Sequence, residues 1–317
     1  MNRRTFLQQS AALAAGLAAS PLRGVPTSGV TRIVDTHTHF YDPTRSQGVP
    51  WPSKGSPLYR TVLPKDWLAV AAPCGVSQTV VIEASSWLED NAWVLELAAG
   101  APSIVGFIGH LLPQEVDFEK HLKRFGSNPL FRGIRVSGAD LLNNLDKPEF
   151  RKGIELMAGM NLELDVNGPP GLLQPVAKLA AEIPSLRIVV DHVGGAGDPA
   201  RLSEEWREGM KSAGRQKNVY CKVSALLEQT DASGKEWGKS PRETAYYAPI
   251  LDHCWECFGE DRLVYGSNWP VCEKGGSYED QFKVVADYFA ARGREAAEKY
   301  FWRNSRQAYG WVERTSP

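Results

Sequence analysis

Eight short runs rich in β-branched residues recur along the chain at intervals too wide for hairpins, and this rhythm constrains the fold more than any motif does. The runs cover residues 32–35, 78–85, 104–109, 131–136, 161–166, 187–193, 219–225 and 262–267. Longer segments with apolar residues at helical spacing lie between them, at 87–100, 115–125, 149–159, 172–182, 200–213, 243–258 and 278–292. Antiparallel neighbours need only a tight turn, whereas parallel strands need a crossover, usually a helix. Strand and helix repeating in series therefore predict a parallel sheet, and eight such units predict closure into a (β/α)8 barrel of the α/β class. Pro148, Pro170, Pro199 and Pro241 near helix starts, with Gly214 and Gly259 near helix ends, fit these boundaries. An open doubly wound sheet is the alternative. It usually carries a Gly-rich first turn, and residues 35–41 contain no glycine.

Residues 1–29 read as a twin-arginine-type export signal with a short linker. Arg3 and Arg4 precede Phe6 and Leu7, and an apolar stretch follows over residues 11–19. That stretch is too short to span a membrane as a stable helix. The pattern is an address read by a receptor, and it implies a periplasmic or exported protein. Residues 30–317 are expected to form one domain. A net charge of −1 creates no long-range field for nucleic acid or acidic lipid. The expected partner is a small-molecule substrate, with no nucleic acid and no membrane contact beyond export. Five cysteines cannot all pair within one chain. Cys254 and Cys257 lack a second pair at zinc-ribbon spacing and read as packing residues.

The active end of a closed parallel barrel is the C-terminal end of its strands. Polar residues concentrate at that end here. Simple alternation along a strand puts His37 and His39 on one face, with Asp35 one step deeper. The same rule groups Glu83 with Ser85, Gly133 with Arg135 and Ser137, and Glu163 with Asp165 and Asn167. It groups Tyr220 with Lys222 and Ser224, and Val264 with Gly266 and Asn268. On the sixth run it places His192 beside Ile188 and Val190, which leaves Asp191 facing the helices. Unpaired buried polar groups are costly, so a core face that turns polar at one end of most strands points to a site. Two imidazoles at a strand end can grip a metal or polarise a carbonyl.

The chain resembles the amidohydrolase superfamily, in particular the amidohydrolase-related group that contains the sugar-acid lactonases. The likeness rests on Val34-Asp35-Thr36-His37-Thr38-His39-Phe40-Tyr41-Asp42 and Pro57-Leu58-Tyr59-Arg60. It continues through Val189-Val190-Asp191-His192-Val193-Gly194, Asn218-Val219-Tyr220-Cys221-Lys222-Val223-Ser224 and Tyr265-Gly266-Ser267-Asn268-Trp269-Pro270-Val271. The terminal Phe301-Trp302-Arg303-Asn304-Ser305-Arg306-Gln307-Ala308-Tyr309-Gly310 is similar too. The resemblance implies catalytic roles for His37, His39, His192 and Asn268. It implies a substrate contact by Arg135, and contacts are also expected from Glu83, Asp165 and Lys222, with Trp51 and Tyr59 over the mouth from the loop at residues 43–64. If one divalent metal is bound, zinc first, its expected ligands are His37 and His39 with Glu83 or His192. Metal-free chemistry is the other option, because a lactone is activated enough to open with hydrogen-bond help.

Two departures from the family pattern shape the expected chemistry. The fifth strand offers Glu163, Asp165 and Asn167 where metal-rich relatives carry a histidine, and the fourth offers Arg135 where binuclear ones often carry lysine. A two-metal centre is not expected. The eighth strand offers Asn268 where relatives carry an aspartate base, and an amide orients water without taking its proton. A histidine, and after it Glu83, is the expected replacement. The function expected is hydrolysis of a small lactone, most naturally of a sugar acid. The alternatives are a metal-dependent decarboxylase or another amidohydrolase-type hydrolase, and a periplasmic ligand-binding member with little or no catalysis.

Overall fold

The computed structural model describes residues 29–314, so the expected export signal lies outside the described residues. Eight strands, β1 (Val34–Thr38), β2 (Gln78–Ile82), β3 (Ile104–Gly109), β4 (Phe131–Ser137), β5 (Glu163–Asn167), β6 (Arg187–Val190), β7 (Val219–Val223) and β8 (Leu263–Tyr265), form one parallel sheet in sequential order. A parallel bridge between Thr38 and Trp269, with His39 N donating to Trp269 O at 2.9 Å, joins the last unit to the first. The (β/α)8 barrel is thereby the observed architecture.

Each expected strand overlaps an observed one, and the expected helices are present in the same order. Additional short helices include Pro64–Ala71, which follows the first loop, and Gly138–Asn144, which follows β4. Pro148 opens its helix at the first position, where a missing N–H costs nothing. Ser277 and Asp280 form a reciprocal cap at the start of helix Tyr278–Ala291. The five cysteines are free.

Two apolar layers divide the protein. Val81, Ile134, Leu164, Ile188 and Val190 pack outward against the helices, while Val34, Val80, Ile82, Val105, Val189 and Val264 fill the barrel interior. The terminal segment closes the interior from the N-terminal end of the strands, through Tyr309 and Trp311. Val312 N donates to Val105 O at 3.0 Å there. Above this apolar layer the interior turns charged and then opens.

Two orientations expected from simple alternation are corrected. Val189 faces inward, so Asp191, two residues on, faces the interior rather than the helices. Asp35 does not lie beneath the histidine pair. Its carboxylate accepts from Ser267 N at 2.8 Å, Ser267 Oγ at 2.6 Å and Tyr278 OH at 3.0 Å, at the seam with the helical layer. A shift in the β1–β2 register between Asp35 and Thr38 breaks the alternation and lets His37 turn inward.

Candidate active site

The strand ends open into a cavity of about 600 Å³, bordered among others by His39, Trp51, Glu83, Arg135, Asn167, His192, Glu228 and Asn268. Three of these wall positions, His192 (φ 54°), Ala225 (φ 55°) and Asn268 (φ 59°), sit in the left-handed region. Non-glycine residues there are strained and are held only where surrounding structure dictates it. The strands β6, β7 and β8 end before these left-handed positions.

His39 directly follows β1 with its ring buried. Nδ1 lies 3.1 Å from both Ile82 O and Glu83 O. Two carbonyls demand a donor, so Nδ1 holds the proton and Nε2 presents a lone pair, 3.3 Å from Asn268 Oδ1. Burial, with the Arg135 charge adding to it, lowers the His39 pKa to about 4, so the ring is neutral. His192 Nδ1 meets Ser224 Oγ at 2.9 Å. Burial also brings His192 to about 4, although Asp191 opposes the shift. His37 packs beneath both, edge-on to His39 with ring centroids 4.9 Å apart and tilted against His192 at 4.4 Å.

Arg135 and Glu83 form one wall. Arg135 Nε and Nη2 donate to Glu83 Oε1 at 2.9 and 2.8 Å, and Nη2 also reaches Glu83 O at 3.0 Å. These bonds leave Nη1 without a hydrogen bond among the described residues. Trp51 packs edge-on against His39 at 5.8 Å and Tyr41 at 5.3 Å.

The floor is a buried charge cluster. Lys222 Nζ lies 2.7 Å from Asp165 Oδ2, 2.6 Å from Asp191 Oδ1 and 3.2 Å from His37 Nδ1. Tyr309 OH donates to Asp165 Oδ1 at 3.0 Å. Burial works against the ammonium, but the two carboxylates outweigh it and raise the Lys222 pKa. Burial, together with Asp191, raises Asp165 to about 6 despite Lys222. Asp191 goes the other way: burial would raise it, yet Lys222 and His37 hold it well below the usual carboxylate range. Burial and the neighbouring Asp165 push Glu163 well up. Two glycines make room for this cluster. A Cβ on Gly133 would stand 2.9 Å from Glu163 Oε2, and one on Gly266 would stand 2.8 Å from His37 Cβ.

The structure thus gathers His39, His192, Asn268, Glu83, Arg135 and Trp51 around one cavity. Asp165 and Lys222 lie beneath it, fully buried and engaged with each other, and His37 lies at the same depth. Tyr59 does not border the cavity; its segment turns back through Tyr59 N to Ser56 O at 2.9 Å. Among the described residues, the side chains that could jointly hold a cation are His37, Asp191 and His192, whose ligand atoms lie within 4.8 Å of one another. The set shares His37 and His192 with the expected one and adds Asp191, which faces inward, in place of His39. Glu228 was not singled out from the sequence. Its one signal was an acidic residue directly after the apolar Ala225-Leu226-Leu227 that ends the seventh run.

A parallel eight-stranded barrel with a histidine pair ending β1 and a third histidine after β6 defines an amidohydrolase-type scaffold. The amidohydrolase family model Amidohydro_2 matches residues 34–311, and the chain belongs to that family. It is 29% identical over 252 residues to an L-fucono-1,5-lactonase of Burkholderia ambifaria, covering 78% of this chain and 83% of that one. It is 25% identical over 283 residues to an L-fucono-1,5-lactonase of Burkholderia multivorans, covering 85% and 92%. Among solved structures, an amidohydrolase of Burkholderia multivorans with bound zinc superposes with a TM-score of 0.79 at 22% identity, over 89% of this chain and 100% of that one. The latter likeness is one of fold.

Proposed function

We propose that this protein hydrolyses a small lactone, of the sugar-acid class, in the cavity at the barrel mouth. The observation that carries the reading is the convergence of Arg135, the neutral His39 ring and Asn268 on one cavity, in a chain related to two L-fucono-1,5-lactonases. The unbonded Nη1 of Arg135 suits a carboxylate, hydroxyl or lactone oxygen, and Glu83 fixes the direction of the guanidinium. Trp51 presents an aromatic edge to a sugar ring. Asn268 Oδ1, beside His39 Nε2, can orient a water toward the ring carbonyl by accepting one of its hydrogens.

A single divalent cation fits the floor. His37 Nε2 and Asp191 Oδ2 are buried without a hydrogen-bond partner, and His192 completes a set of two nitrogens and one oxygen. That composition suits zinc. When bound, the ion would polarise the lactone carbonyl as a Lewis acid. The Lys222 ammonium lies against Asp165 and one oxygen of Asp191, which leaves the other Asp191 oxygen facing this set.

A panel of aldonolactones with proton release as readout tests the reading, alongside metal analysis of the purified protein. Ring opening is expected, with a loss of at least about 100-fold in kcat/KM for His192→Ala. Opening no faster than in buffer across the panel would refute it. The twin-arginine pattern of residues 1–29 supports export as part of this reading. Fractionation of cells making the full chain checks that assignment, and activity confined to the cytoplasm counts against it.

A further inference from the structure

Asn268 can hold a water but cannot take its proton at neutral pH. A carboxylate stands one hydrogen bond away. Glu228 lies in the 3-10 turn Leu227–Gln229, just after β7, and Asn268 Nδ2 donates to its Oε1 at 2.8 Å. Its other oxygen, Oε2, is buried with no hydrogen-bond partner, and the residue borders the same cavity as His39, Arg135 and Asn268. No cation forms an ion pair with it among the described residues, so it is not the acidic half of a structural salt bridge.

The turn that carries Glu228 is held firmly. Gln229 Nε2 donates to Ala225 O at 2.8 Å and to His192 O at 3.3 Å, tying the ends of β7 and β6 together. Ser233 Oγ donates to Glu228 O at 2.8 Å. Other acids are spoken for: Arg135 occupies Glu83, and Asp165 lies under the floor between Lys222 and Tyr309.

We propose that Glu228 is the general base of lactone opening, accepting at Oε2 a proton from the water that Asn268 orients. The assignment rests on the lactone-hydrolase reading. As Glu228 takes the proton, the water oxygen bonds to the lactone carbonyl carbon and the carbonyl π pair moves to oxygen. When that oxyanion collapses, the C–O ring bond breaks and the ring oxygen leaves as an alkoxide. Glu228 returns the proton to this alkoxide. The product is an open-chain hydroxy acid, which releases one proton to solvent, and Glu228 ends as it began.

Burial raises the Glu228 carboxyl to about 7, with the Asn268 hydrogen bond and Lys274 opposing the shift. Cys272 and Tyr247, which feel the Glu228 charge, are pushed further up by burial and stay uncharged, while His39, His192 and the paired Glu83 and Arg135 border the same cavity. A base of this strength matches proton transfer near neutral pH, whereas His39 at about 4 is a far weaker acceptor.

The experiment compares the unmodified protein with Glu228→Gln on the lactone that turns over best, across pH 5–9. The unmodified protein is expected to show an acid limb in kcat/KM near pH 7. Glu228→Gln is expected to lose at least about 100-fold in kcat, with KM within threefold, and to lose that limb. The double variant Glu228→Gln/Asn268→Asp is expected to regain at least tenfold in kcat over the single one. If the unmodified protein lacks the limb near pH 7, or Glu228→Gln keeps kcat within threefold, the assignment falls and the lactonase reading stands. If the unmodified protein opens no lactone, both fall together. The unmodified profile decides the matter even where Glu228→Gln does not fold.

Discussion

Replacing Lys222 by methionine tests the buried floor on which the whole cavity rests. Methionine keeps the unbranched stem and removes only the ammonium. The ammonium lies 2.7 Å from Asp165 and 2.6 Å from Asp191, with all three side chains shut off from solvent. At an effective dielectric of about 20, each contact at this range is worth roughly 6 kcal/mol of attraction. Much of that offsets the cost of burying the ions, and removal of one partner from a buried pair typically costs about 3–5 kcal/mol net. For a domain of this size that corresponds to a fall in Tm of roughly 5–8 °C. Thermal unfolding followed by circular dichroism at pH 8, where both carboxylates are pressed to ionise, reads it directly. Lys222→Met combined with Asp165→Asn is expected to recover a large part of the loss, because one of the two opposed carboxylates is then gone. A Tm within 2 °C of the unmodified protein for Lys222→Met would refute the reasoning.

Gly266→Ala puts a Cβ 2.8 Å from His37 Cβ and 3.2 Å from Lys222 Cδ, so something must move. A loss of about 1–3 kcal/mol in urea unfolding is expected, with turnover falling further than stability alone explains; unchanged unfolding and turnover would contradict the packing. Glu228 gives a pH signature of its own in stability. Its folded pKa of about 7 lies above the unfolded value of 4.5, so between these limits the folded protein binds more protons. The stability it contributes is full below about pH 4.5 and is lost as pH rises through 7, by at most about 3 kcal/mol. Glu228→Gln therefore gains Tm relative to the unmodified protein between pH 4.5 and 8; a constant difference across that range would contradict the shift.

The barrel was legible because its signal is collective. Eight β-branched runs separated by helix-length segments admit few arrangements, and no single run had to be right. The mouth was legible for the same reason, since polar residues recur at one end of most strands. Individual directions were harder to read. Asp191 and Asp35 were placed by counting in twos. That counting fails when a register shift intervenes, as between Asp35 and Thr38, and it misleads when the wrong member of a pair anchors it, as with His192. His192 reaches the cavity through a left-handed backbone after the strand has ended, not as part of the inward face. Depth was equally hidden. Lys222 and Asp165 share the inward face with the site, but nothing in their spacing says that they lie below the cavity and neutralise one another.

Glu228 shows why the remaining part of the site escaped the sequence. Its direction depends on Ala225 adopting φ 55° and on Gln229 bonding back to two carbonyls, and neither is encoded by a period. The same hydrogen bonds explain how the strained mouth persists. Gln229 holds the His192 and Ala225 carbonyls, while Asn268 is fixed on one side by Glu228 and on the other by Cys272 N donating to its carbonyl at 3.0 Å. Left-handed residues of this kind cost of order 1–3 kcal/mol each, and they stay put only when several contacts fix them at once. The seventh loop therefore links β6, β7 and β8 at the point where the substrate would sit. An asparagine at 268 reads as a loss of function while β8 is considered alone. With the loop in place it is one half of an amide–carboxylate pair, and the proton-accepting group has moved from the strand to the turn beside it.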